Sequence, residues 1–89
     1  MTEVKKKAAA GTLESSDVYV EIEPGTAGLT IDLQSVVQAQ YGSAIEAAVR
    51  QVLQEQGVEC AHIKVMDRGA LECVIRARVE TAVLRSKEG

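Results

Sequence analysis

The side chains able to do chemistry in this chain gather near its start. Gly11-Thr12-Leu13-Glu14-Ser15-Ser16-Asp17 sets two adjacent hydroxyls between two carboxylates, after an alanine stretch and before the first strand-like pattern. A serine so placed is expected to be exposed, and able to accept a covalent group from an enzyme that brings an activated donor. The plain alternative is a polar turn, in which hydroxyls and Asp bond nearby backbone groups. On composition alone the polar turn is the stronger reading.

The rest of the chain offers no rival chemistry. His62 is the only histidine, and it falls on the polar face of a predicted strand, so it reads as a surface residue. A Ser-His-Asp triad is not decided by order in sequence. However, no Gly-x-Ser-x-Gly elbow surrounds Ser15, and so small a domain leaves little room for an enclosed pocket. Gly25 and Gly28 do not form a phosphate-binding spacing. Glu21 and Glu23 fall on a solvated strand face, where they read as solubility and edge protection. Cys60 and Cys73 lie outside any Cys-x-x-Cys spacing and are expected to be reduced and at least partly buried. Lys5, Lys6 and Lys7 read as a solvated charge run. No catalytic residue and no metal ligand set is expected.

Composition narrows the partners. Lys and Arg number 10 against 13 Asp and Glu, so the chain has no electrostatic reason to seek nucleic acid. Phe and Trp are absent and only Tyr19 and Tyr41 are aromatic, which removes the platforms that stack single-stranded bases. No apolar run approaches the roughly 20 residues of a membrane span. The opening MTEVKKKAAAG is too short and too weakly apolar for a signal peptide. A cytoplasmic protein that binds neither nucleic acid nor membrane is expected.

Stepping outward to the elements that position Ser15, 89 residues support one domain with a modest core. Val18, Val20 and Ile22 alternate with acids, predicting a half-buried strand over 17–23. Pro24-Gly25 breaks it, and Leu29, Ile31 and Leu33 predict a second strand that can return as a hairpin. From Ser35 to Gln56 apolar residues recur at three- and four-residue steps, from Val36, Val37, Tyr41 and Ala44 through Leu53, predicting one long amphipathic helix. Ser35 suits its N-cap and Gly57 its left-handed end. A third strand follows over 60–66, then a turn at Asp67-Arg68-Gly69. Residues 71–80 fit both a strand and a helix, and the preceding turn with alternating charges favours a strand, the tail beyond it being open to a helix. The expected fold is α+β: a small single domain with a mostly antiparallel β-β-α-β-β sheet and the helix packed on one face. If strands two and three are parallel neighbours, the helix is their crossover. Residues 1–10 are expected to form a flexible segment, 11–84 the domain, and 85–89 a C-terminal tail.

GTLESSD at 11–17 and DRGALECVIRARVE at 67–80 together resemble the acyl carrier protein, or gamma subunit, of citrate lyase. The similarity spans nearly the whole chain, including YGSAIEAAV at 41–49, while the carrier family of malonate decarboxylase is a more distant relative. The Asp-Ser-Leu signature of ordinary helical acyl carriers is absent. The resemblance implies a non-catalytic carrier subunit in which the serine after Gly-Thr-Leu-Glu, here Ser15, bears phosphoribosyl dephospho-coenzyme A through a phosphodiester. Ser16, standing where many members have glycine, is the alternative attachment site. It implies acetyl and citryl thioesters on that arm as citrate is cleaved to oxaloacetate and acetate. The implied partners are the alpha (transferase) and beta (lyase) subunits and a prosthetic-group transferase. The competing readings are a malonate decarboxylase-type carrier and a purely structural subunit of a larger complex.

Overall fold

The computed structural model describes residues 4–88. Its elements in chain order are β1 (Ala8–Gly11), β2 (Val18–Pro24), β3 (Leu29–Ser35), α1 (Gln38–Glu55), β4 (Ala61–Asp67) and α2 (Glu72–Lys87). The four strands form one mixed sheet in the order β1-β2-β4-β3. β2 runs antiparallel to both β1 and β4, whereas β3 is parallel to β4. The molecule is therefore α+β in a single small domain, as expected.

Alternation in β2 and β4 sends Val18, Val20, Ile22, Ala61, Ile63 and Val65 into the core. Ile45, Val49, Val52 and Leu53 of α1, with Ile75, Val79, Ala82 and Val83 of α2, close over them. The opposite sheet face bears charges, with Glu21 beside Lys64 and Lys64 beside Asp32 across the register.

Three expected features change. β2 and β3 do not pair as a hairpin, because α1 returns the chain so that β4 enters between them. The short 25–28 connection has to cross only two strand spacings, about 10 Å. β3 and β4 are the parallel neighbours that make α1 a crossover.

Residues 71–80 form the first part of α2 and not a strand. As a helix this segment buries Ile75 and Val79 on the stripe that Ala82, Val83 and Ser86 continue along α2, and it leaves Cys73 and Ala77 outside. Glu72 and Arg76 add an i,i+4 pair with Nε–Oε2 at 3.1 Å. The edge beside β2 is occupied by β1 instead, from the segment expected to be flexible. Ala10 is buried there, the Lys5 and Lys6 N–H groups donate to the Ser86 carbonyl, and Arg85 donates to the Ala9 carbonyl at 2.8 Å. The folded region thus extends past 11–84 at both ends, from β1 to Lys87, while residues 1–3 and 89 of the expected termini lie outside the described residues.

The ends of α1 divide the same way. Gly57 takes φ +71 and donates to the Gln54 carbonyl while Val58 donates to that of Leu53, the paired bonds of a Schellman end. Ser35 is not the N-cap, because it closes β3; Val37 holds that position without a side-chain bond. The Ser35 hydroxyl instead accepts from the Val37 N–H at 3.1 Å and donates to Asp67 at 2.7 Å.

Candidate functional site

The β1–β2 connection is a narrow loop with Ser15 and Ser16 at its tip. The Asp17 N–H donates to the Glu14 carbonyl at 3.2 Å, closing a four-residue turn. Ser16, third in that turn, has φ +65. A positive φ there is the feature of a type II turn, in which glycine is the default. This gives a physical reason for the glycine that many of the resembling carriers have at this place. Both serines are exposed.

The base of the loop is braced from three sides. Ser16 N–H donates to the Arg68 carbonyl and Arg68 N–H to the Asp17 carbonyl, each at 2.9 Å, extending the β2–β4 ladder past its last strand pair. The Asp17 carboxylate accepts from Thr12 Oγ1 at 2.7 Å, from Val18 N–H at 2.7 Å, and from the Arg78 guanidinium at 3.2 and 3.3 Å. These donors hold its pKa below the usual carboxylate range, the Thr12 hydroxyl foremost, then the Val18 N–H and Arg78. Gly11 enters the loop at φ +92, where a Cβ would stand 1.8 Å from the Val18 carbonyl oxygen. Only glycine fits that crossing.

The loop is a polar turn fastened by its own side chains, with both serines exposed at its tip. Thr12 and Asp17 are the turn's fasteners, and they leave the serines outward. Asp17 is not a free acid waiting for a recognition partner, whereas Glu14 remains exposed. The Asp17 charge is opposed by Arg78 at the base of the loop.

The other candidates fall elsewhere. His62 pairs with Glu23 at the far end of β2, whereas Ser15 precedes Val18 at the near end. Five strand residues separate those ends by roughly 17 Å, so Ser15 and His62 do not form a hydrolytic pair. Glu21 is bound by Lys7 at 3.1 Å and by the Tyr19 hydroxyl at 3.0 Å. Those bonds, Lys7 first, lower its pKa, and Lys7's own is raised chiefly by the Glu21 bond. Lys7 is thus a partner of the sheet. Because β1 and β4 flank β2, its acids protect no edge. Cys60 and Cys73 are exposed, correcting the expectation of partial burial.

Sequence reading missed Asp67, Val36, Tyr41 and Leu71. Asp67 is buried, accepts from Ser35 and from the Ala70 N–H at 2.9 Å, and so ties the ends of β3 and β4 to the entry of α2. Its conversion from turn residue to buried tie had no local signal. Val36, Tyr41 and Leu71 are large apolar residues left exposed, two of them on the face assigned to the core.

Comparison with known proteins agrees with this architecture. The family model of the malonate decarboxylase delta subunit (MdcD), an acyl carrier family, matches residues 5–86. A chain of a Pseudomonas malonate decarboxylase hetero-tetramer, solved in complex with malonate, superposes with TM-score 0.78 over 96% of this chain and 88% of that one. At 24% identity it shares the fold. Fold and family together define an acyl carrier, a class whose members hold a covalently attached prosthetic group. The citrate lyase acyl carrier protein of Escherichia fergusonii is 53% identical over 97% of this chain and 90% of its own length. That of Lactococcus lactis is 51% identical over 97% and 90%. The chain belongs to the citrate lyase acyl carrier protein family.

Proposed function

We propose that this chain is the acyl carrier subunit of a citrate lyase and that Ser15 bears phosphoribosyl dephospho-coenzyme A through a phosphodiester. The observation that carries the reading is the tip geometry: an exposed serine on a loop whose base is held by Arg68, Arg78 and Thr12. When bound, the arm supplies the thiol that holds the acyl group. The chain's part is positional. Its fastened loop keeps the root of the arm in one place on a rigid sheet, and tethering raises the effective concentration at partner sites to the order of millimolar.

The partners on this reading are the alpha and beta subunits of citrate lyase, which transfer and cleave, and a dedicated prosthetic-group transferase, all in the cytoplasm. Cys60 and Cys73 take no part. A malonate decarboxylase-type carrier is the second reading, favoured by the family model's description and the shared fold. The higher identity to citrate lyase carriers weighs against it.

Intact mass tests the attachment. Coexpression with the native modification enzymes should add one nucleotide-containing group, Ser15→Ala should abolish it and Ser16→Ala should keep it. The reverse result moves the site to Ser16, and an unmodified wild-type chain from an active complex leaves only a structural subunit.

A further inference from the structure

A track of exposed apolar surface starts two residues before Ser15 and leads away from it. Leu13, Val36 and Met66, with the polar Gln34, Asp67 and Arg68, line a shallow hollow of about 280 Å³ beside the serine loop. Beyond it a groove of about 320 Å³ opens between the start of α1 and the entry of α2, walled by Val37, Tyr41, Ile45, Ala70, Leu71 and Ile75, with Glu72, paired to Arg76, on the same lining. The two meet at Gly69, where a Cβ would already lie 3.9 Å from Val36 Cγ2. The loop is tied to this path, because Ser16 N–H bonds the carbonyl of Arg68, the residue before Gly69.

The groove is the size of a small-ligand site, at the low end of the roughly 300–1,000 Å³ such sites occupy. Its rim holds an aromatic ring that folding has not used: Tyr41 is 56% exposed and Leu71, in the same lining, 72%. An exposed aromatic ring and aliphatic walls in one groove suit a flat ring, and a guanidinium on the approach suits phosphate. Resting on the reading that Ser15 carries the arm, we propose that the arm's adenine lodges in the Tyr41–Leu71 groove, its phosphates passing Arg68. The reactive thiol end is then held away from the carrier surface and free to enter a partner's active site. Val36, Tyr41 and Leu71 stay exposed because their partner is the arm.

The test uses amide NMR spectra of the full unmodified chain titrated with AMP and, separately, with pantetheine at millimolar concentrations. AMP should shift the amides of Tyr41, Ala70 and Leu71, and pantetheine should not. Tyr41→Ala should weaken AMP binding about ten-fold, the order expected for one lost stacking platform. Because Tyr41 is exposed, that variant should keep its fold, and Leu71→Ser provides a second one of the same kind. In chain whose adduct on Ser15 is confirmed by mass, the same amides should move with no ligand added. Groove amides that stay still in both AMP titration and loaded chain overturn the proposal while the carrier reading stands. Shifts caused by pantetheine and not AMP also overturn it. AMP binding in the groove of a chain that never gains an adduct refutes the Ser15 reading and keeps the groove as a nucleotide site.

Discussion

Arg78, in the second turn of α2, closes a two-bond fork on the carboxylate of Asp17, Nε lying 3.3 Å from Oδ1 and Nη2 3.2 Å from Oδ2. The two residues are 61 positions apart, so the loop that presents Ser15 takes its position from a helix the chain reaches only near its end. Partly exposed pairs of this kind add little stability in general. Here the consequence is placement, since the same carboxylate also binds Thr12 and the Val18 N–H across the loop's base.

That arrangement sets a pH dependence. Asp17 has a folded-state pKa below its unfolded value, so the stability it contributes is complete above the ordinary carboxylate value of about 3.9. It is lost as pH falls through the lower, folded-state pKa. Thr12 is the leading single cause, so Thr12→Val should raise the Asp17 pKa, and Arg78→Leu, which removes a hydrogen bond and a neighbouring charge, should raise it too. Carboxyl NMR titration of both variants checks this, and an unmoved Asp17 in Thr12→Val would show that the hydroxyl does not hold the carboxylate.

Gly11→Ala should be much more damaging than Gly28→Ala. Both glycines have positive φ, but a Cβ at Gly28 meets nothing within 4 Å, whereas at Gly11 it overlaps the Val18 carbonyl. Gly28→Ala should cost about 1–2 kcal/mol of backbone strain; Gly11→Ala should exceed roughly 3 kcal/mol because the β1–β2 crossing must open. Urea midpoints at unchanged slope measure the difference.

Ser16→Gly should stabilise the protein by roughly 0.5–1 kcal/mol. The strain relieved at φ +65 is on the order of 1–2 kcal/mol, and glycine's greater unfolded-state freedom offsets part of it. A melting temperature higher by a few degrees is the expected result. A lower one would mean that the Ser16 side chain fastens the tip.

Asp67→Ala should cost about 2–4 kcal/mol, because it strips the acceptors from Ser35 Oγ and Ala70 N–H in a buried place. Asp67→Asn, which keeps one acceptor oxygen, should cost less. Faster hydrogen exchange at Ala70 in the alanine variant, without a change in β2, would localise the loss to the β4–α2 junction.

Much of this architecture was legible because it follows a period. Val18, Val20 and Ile22 alternate, Ile45 through Leu53 recur on a helical stripe, and Gly57 stops the helix where its left-handed backbone is required. The serine loop was legible as a motif, since glycine, two hydroxyls and two acids crowd into seven positions. β1 was not legible. Its alanines carry little strand preference, and they form a strand because small residues let α2 approach the sheet beside β2.

Residues 71–80 show the limit most plainly. Their pattern supports two periods, and nothing local arbitrates between them. The segment becomes a helix because β1 already occupies the free edge of β2 and the core needs covering on the face that α1 leaves open. The chain's own letters thus determined the exposed serine, its flanking acids and the elements with a single clear period. Tertiary structure decided which strands are neighbours, that Asp17 is held by Arg78, and that Tyr41 and Leu71 line one groove. Those relations join residues far apart in sequence, and only the packed sheet and helices bring them together.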